Sequence, residues 1–293
     1  MIGPLSLWHR LGRLGVVLEM IKFEHTIFAL PFAFMGLLLA GRGLPAPRTV
    51  LWVLAAMVGA RSAAMAFNRL LDATVDARNP RTSNRALPRG LVSPIFVSWF
   101  IAASGGLFFL SAWQLNRTCL LLSPAALAVV LFYSYTKRFT AAAHLVLGAA
   151  LGLAPVGGWL AANESLAPAP LLLGAGVLFW VAGFDILYSL LDVEFDRGEG
   201  LHSIPSRLGP ERAVWLARLL HLASALLFAT VGVAAGLGLV YFVGTGIVAV
   251  FLLVQHLLVS PEDLSRLNVS FFTLNGAVSI ILLTACALGL AGC

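Results

Sequence analysis

Apolar runs of about 20 residues, each long enough to cross a bilayer as a helix, follow one another along the whole chain with short polar stretches between them. Nine spans are expected, near Val16–Ala40, Val50–Asp76, Val92–Trp113, Thr118–Thr136, Ala142–Ala162, Pro168–Asp196, Glu211–Gly236, Leu239–Leu258 and Asn268–Leu290. Ten-residue segments of alternating polarity, the mark of a membrane barrel, are absent, so the predicted fold is an all-α polytopic membrane protein. No linker is long enough to set off a second domain, and residues 1–293 are expected to form one transmembrane unit.

Composition agrees: 60% of the 293 residues are hydrophobic and 11% charged, against roughly 45–50% and 25% in soluble domains. Twelve loop and helix-end arginines and lysines fall on the side of the N-terminus, and only Arg42, Arg48 and Arg117 on the other. By the positive-inside rule the N-terminus is cytoplasmic and the C-terminus external, as for a protein of the cytoplasmic (inner) membrane. The formal charge of +6 reflects this sorting, and its scatter over separate loops argues against a nucleic-acid partner. The first run is too long and too charged for a cleaved signal, so the chain is expected to begin as it stands. Cys119, Cys286 and Cys293 show neither metal-ligand spacing nor an obvious pairing.

Two polar segments interrupt the pattern in the same way. "FNRLLDATVDARNPRTSNRALPRG", from Phe67, closes the second span, and "FDILYSLLDVEFDRGEGLHSIPSRLG", from Phe184, closes the sixth. Asp72 and Asp76 recur as Asp192 and Asp196, four spans later, so both copies point the same way through the membrane. The expectation is two parallel four-helix repeats plus a ninth helix around a central cavity. Asn68, Asp72 and Asp76 are four residues apart, each turned about 40° and raised about 6 Å from the last on a helix. Asp185, Tyr188, Asp192 and Asp196 make a similar stripe, with Glu194 on the far side.

Carboxylates gathered near the membrane need a cation to coexist, and an all-oxygen set suits a hard ion such as Mg²⁺ shared with substrate phosphates. Arg81, Arg85, Arg89, Arg207, Lys137 and Arg138 would then grip the phosphate oxygens the metal leaves free. On this reading the acids hold the metal and the bases hold the bridging anion. The alternative is a solvated helix cap beside an arginine-rich topology signal; recurrence of the acid stripe in both copies favours a site.

These residues resemble the UbiA-type intramembrane prenyltransferases. The family's NxxxDxxxD motif and basic loop match Asn68, Asp72, Asp76, Arg81, Thr82, Arg85, Leu87, Pro88 and Gly90. Its DxxYxxxDxxxD motif matches Asp185, Tyr188, Asp192 and Asp196, and its YPxxKR signature appears as "YSYTKR" with Tyr133, Lys137 and Arg138. Ser134 and Ala86 stand where the family has prolines. "IKFEHTIFALP" in the first span is similar to the branch linked to menaquinone made through futalosine.

The resemblance implies transfer of a polyprenyl group from polyprenyl diphosphate to an aromatic acceptor, 4-hydroxybenzoate or a related ubiquinone or menaquinone precursor; homogentisate and haem are further acceptors to weigh. Asp72, Asp76, Asp192 and Asp196 would hold Mg²⁺, with Asn68 and Asp185 assisting. The metal and arginines would stabilise the leaving diphosphate, and the ring would attack the allylic cation. A long prenyl tail will not leave lipid, each buried CH₂ being worth about 0.8 kcal/mol. A large apolar cavity with a lateral gap is therefore expected, with the loops after the second and sixth spans as lids.

Tyr188 either steadies the cation or packs. Arg61, two turns before Asn68 and near mid-span, either pairs with an acid or contacts the acceptor. Lys22, Glu24 and His25 are acceptor contacts or a polar helix end. His144, His221 and His256 form no metal-ligand pattern and read as structural. Asn275 is either a pocket group or a helix-packing amide. The rival from another class is a transporter of an anionic or prenylated lipid, whose site would need broken helices at the midplane rather than continuous stripes near one end. A structural scaffold gives no reason for two acid motifs.

Overall fold

The structure, a computed structural model, describes residues 12–22 and 26–291, among which the regular elements are all helices, without strands. The helices are α1 (Gly12–Met20), α2 (Thr26–Gly41), α3 (Pro47–Arg78), α4 (Pro94–Leu115), α5 (Arg117–Thr136), α6 (Ala143–Ala162), α7 (Pro168–Ser189), α8 (Val193–Gly198), α9 (Ile204–Leu208), α10 (Pro210–Ala235), α11 (Leu239–Leu258) and α12 (Asn275–Ala291). Among the described residues eight helical stretches are long and apolar enough to cross a membrane, and Phe28–Gly41 is a shorter apolar one. Large apolar side chains such as Trp99, Trp113, Trp215, Leu219, Leu222 and Leu226 are exposed on the outer faces, as contact with lipid requires.

The first expected span is not one helix. It divides into α1 and α2 at Lys22, whose φ of 49° lies in the left-handed region that a continuing helix cannot use. Glu24 and His25 lie outside the described residues. The sixth span is also broken. α7 ends at Ser189, a 3₁₀ turn covers Leu190–Asp192, and α8 resumes at Val193. A 3₁₀ turn advances about 120° per residue instead of 100°, so it interrupts the helix without removing the stripe: Asp185, Tyr188, Asp192 and Asp196 all line one cleft.

The two copies share their punctuation. α3 and α7 begin with Pro47 and Pro168, and α4 and α10 with Pro94 and Pro210, each proline at the helix start where no backbone N–H is needed. Packing follows chain order as a ring, from α3 through α4, α5, α6, α7, α10, α11 and α12, closed by α2 against both α12 and α3. α2 also packs on α6, its counterpart in the second copy. There a Cβ on Gly36 would lie 1.9 Å from the Pro155 carbonyl oxygen, and one on Gly158 1.9 Å from that of Ala33. Only glycine lets the two backbones come this close, which is how small residues join helices in lipid.

Aromatic side chains fill the space between α2, α7 and α10. Phe32 stacks on Phe228 with ring centroids 5.9 Å apart and meets Trp180 at 5.2 Å. Trp180 Nε1 donates to Asn275 Oδ1 at 3.1 Å, and Gln255 Nε2 donates to the same oxygen at 2.6 Å. Asn275 is therefore a helix-packing amide joining α7, α11 and α12.

Candidate active site

At one end of the ring, a cleft of about 280 Å³ opens between the C-terminal part of α3, the C-terminal half of α7 with its 3₁₀ extension, the end of α5 and the start of α6. Both acidic segments line it, so the two copies face each other across one space. Its lining is mostly polar, with Val75, Ala143 and Leu147 among the few aliphatic walls. The large apolar cavity expected for the prenyl tail is not this cleft, because the core beside it is packed with aromatic rings.

α3 positions the first acid set. Asp72 is 1% exposed and accepts from Lys137 Nζ, from Arg138 Nη2 at 3.0 Å and from Asn68 Nδ2 at 3.2 Å. Asp76, one turn on, takes Arg85 Nη1 at 2.7 Å on both carboxylate oxygens. The turn carrying Arg85 is drawn in by Thr82, whose hydroxyl donates to the Asp76 carbonyl at 3.1 Å. Asn68 is held from its other side by Arg69, a buried side chain that donates to Asn68 Oδ1 at 3.4 Å and to the Met20 carbonyl at 3.2 Å.

The second acid set is reached from the first loop. Arg81 grips Asp192 with Nε at 2.8 Å and with Nη2, while Asn79 Nδ2 donates to the same carboxylate at 3.2 Å. Burial opposes the charge on Arg81, but hydrogen bonding and the charge of Asp192 more than offset it, so its pKa lies above the ordinary arginine value. The same guanidinium lies 5.5 Å from the centroid of the Tyr188 ring, a cation–π distance. Asp196 lies beside the Ser203 hydroxyl, and Asp185 Oδ2 is 2.7 Å from His144 Nδ1. Outside the cleft, Arg78 clasps Glu199 through three contacts of 2.6 to 3.1 Å, tying the end of α3 to the loop after α8.

In the structure as it stands the bases pair with the acids themselves, Arg85 with Asp76, Lys137 and Arg138 with Asp72, and Arg81 with Asp192. Three carboxylates in a half-buried cleft are neutralised by the nearest cations on the chain. Nor do four aspartates close on one point: among the described residues no three His, Cys, Asp or Glu side chains converge to cage a metal ion. The donor set still fits Mg²⁺, which takes one or two carboxylates and completes its shell with water and phosphate oxygens.

Not every expected residue reaches the cleft. Arg61 lies outside its lining; its Nη2 donates to the Lys22 carbonyl at 3.2 Å, backing the break between α1 and α2. Arg207 is turned toward the His202 ring, 3.1 Å away, and does not line the cleft. Arg69, Asn79, His144, His202 and Ser203 line it without having been expected. Arg69 alone had a legible signal, being an arginine within a span next to Asn68.

A ring of membrane helices with an acid-lined, arginine-braced cleft at one end defines an integral membrane protein. The chain belongs to the UbiA prenyltransferase family, whose profile matches residues 29–277, and is an integral membrane prenyltransferase. It is 31% identical over 228 residues to the 4-hydroxybenzoate octaprenyltransferase of Sodalis glossinidius (78% of each chain), and 27% identical over 281 residues to that of Providencia stuartii (95% of each). Its fold is similar to the apo structure of a UbiA homologue from Aeropyrum pernix K1, with a TM-score of 0.82, 39% identity and coverage of 90% of this chain and 98% of that one. A UbiA homologue from Archaeoglobus fulgidus bound to GPP and Mg²⁺ shares the fold at a TM-score of 0.74 and 20% identity, over 94% and 99% of the chains.

Proposed function

We propose that this protein transfers a polyprenyl group from polyprenyl diphosphate to 4-hydroxybenzoate or a related quinone precursor, with Mg²⁺ in the cleft and the cleft at the cytoplasmic side. The observation that carries the reading is the pairing of Arg81 and Asn79 with Asp192, which brings the acid segments of both copies to one site. The names of the curated relatives support the acceptor, and the ligands of the Archaeoglobus fulgidus homologue support the diphosphate and the ion.

Asp72, Asp76, Asp192 and Asp196, with Asn68, are the residues that would hold Mg²⁺. When bound, the ion supplies Lewis-acid neutralisation of the diphosphate. The chain's own part is an exchange of partners. Arg81, Arg85, Lys137 and Arg138 now lie on carboxylates, and each can turn its N–H groups onto phosphate oxygens once the carboxylates have another cation to face. Charge building on the leaving diphosphate then meets donors already held in place. The Tyr188 ring, next to Arg81, presents a π face to positive charge on the allylic carbon. Asp185 lines the same cleft, a carboxylate without a lysine or arginine partner among the described residues.

Purified protein in lipid, given a polyprenyl diphosphate, 4-hydroxybenzoate and Mg²⁺, should release diphosphate and form a prenylated ring detectable by mass spectrometry. Movement of the prenyl diphosphate across the bilayer without a covalent product would instead favour a transporter.

A further inference from the structure

His144, at the start of α6, is 5% exposed and has hydrogen-bond partners on both ring nitrogens. Nε2 lies 3.2 Å from the backbone N–H of Ile204, and Nδ1 lies 2.7 Å from Asp185 Oδ2. A backbone N–H can only donate, so Nε2 is the bare, accepting nitrogen. The proton is therefore on Nδ1, aimed at Asp185, and the ring is neutral.

Two consequences follow. Asp72, Asp76 and Asp192 each face lysine or arginine, whereas Asp185 faces a neutral donor that fixes its direction without cancelling its charge. Among the described residues its Oδ1 has no protein partner, which leaves one oxygen for the cleft that Asp185 lines. The same imidazole also holds the turn over the cleft. Ile204 opens α9, behind a capping box made by Ser203 and Ser206. Just before it, the His202 N–H donates to the Lys137 carbonyl at 2.7 Å. The turn is thus stitched to the Lys137 backbone at one point and to the His144 ring at the next.

We infer that His144 is a positioning residue, a neutral imidazole that keeps the Leu201–Leu208 turn closed over the cleft and holds Asp185 as an aimed, uncompensated carboxylate. This deepens the prenyl-transfer reading and rests on it for its effect on turnover, but the tie itself is measurable without turnover.

The test compares His144→Leu with His144→Gln in the full chain in lipid. A glutamine amide offers an N–H donor group at one atom and an acceptor at another, as the neutral ring does, and leucine offers neither. Hydrogen exchange at the Ile204 amide should quicken in the Leu variant and return toward the native rate in the Gln variant. With Mg²⁺ and both substrates, Leu should lower kcat on the order of 10–100-fold, the usual cost of losing a residue that orients a site group. KM for the diphosphate should move far less, and Gln should recover most of kcat. Unchanged exchange at Ile204 in the Leu variant, or a Gln variant as impaired as Leu in both readouts, overturns the inference. If exchange behaves as expected while the native protein forms no prenylated product, the proposed reaction fails and the tie stands.

Discussion

Arg81, in the turn after the second membrane helix, holds Asp192, at the end of the sixth, through Nε and Nη2 of one guanidinium edge. One side chain thus joins the two repeats across the cleft, and in the proposed reaction it is a donor to the diphosphate. A guanidinium fork matches a carboxylate or a phosphate with two parallel hydrogen bonds, while an ammonium offers a point charge. Arg81→Ala should lower kcat/KM for the prenyl diphosphate on the order of 100-fold, and Arg81→Lys should recover only part of it. Native kinetics in the Lys variant would show that charge alone suffices there.

The α2–α6 contact is a separate, structural prediction. A methyl group on Gly158 would meet the Ala33 carbonyl oxygen at 1.9 Å, whereas one on neighbouring Gly157 meets nothing within 4 Å. Gly158→Ala should therefore destabilise by about 1–3 kcal/mol through overpacking. Gly157→Ala should be neutral or slightly stabilising, since alanine is the better helix former. Thermal unfolding of both variants in the same detergent checks this, and equal midpoints would contradict it.

Glu199 gives a pH dependence with a definite sign. Its hydrogen bonds from Arg78 hold its pKa below the ordinary glutamate value. The tie is therefore complete above the ordinary glutamate pKa and is lost as pH falls through the depressed one. Both groups lie at the surface, so the effect is local rather than global. Protection from hydrogen exchange in the loop after α8, relative to the intrinsic amide rate at each pH, should fall on acidification in the native protein, and in Glu199→Gln it should be low at every pH. A flat native profile would show that the pair does not order the loop.

Much of the fold was legible because lipid imposes a length on every span, and the structure places eight of the nine expected apolar stretches in membrane-length helices. The first acid stripe was legible for the same reason: α3 runs unbroken from Pro47 to Arg78, so spacing in sequence is spacing in space. The second was legible in its residues, which all line the cleft, but not in its backbone, because no residue announces the 3₁₀ turn at Leu190–Asp192. Arg61 shares a helix face with Asn68 but sits two turns, about 10 Å, farther along the axis, where the Lys22 carbonyl meets it. His144 was read as structural because its partners, Asp185 and Ile204, come from segments far along the chain. Tertiary contact alone gives it a place in the cleft. The pairing of bases with acids was likewise hidden, since composition gives charges but not which of them touch.

The central claim is that the acids of both repeats take a divalent ion while their basic partners take the diphosphate. It is tested most directly by titrating Mg²⁺ against diphosphate release in the native protein, Asp72→Asn and Asp192→Asn, each first confirmed folded by its thermal midpoint. The account predicts saturable Mg²⁺ dependence in the native protein and no Mg²⁺-dependent release in either variant. Native rates and native Mg²⁺ dependence in both variants would contradict it.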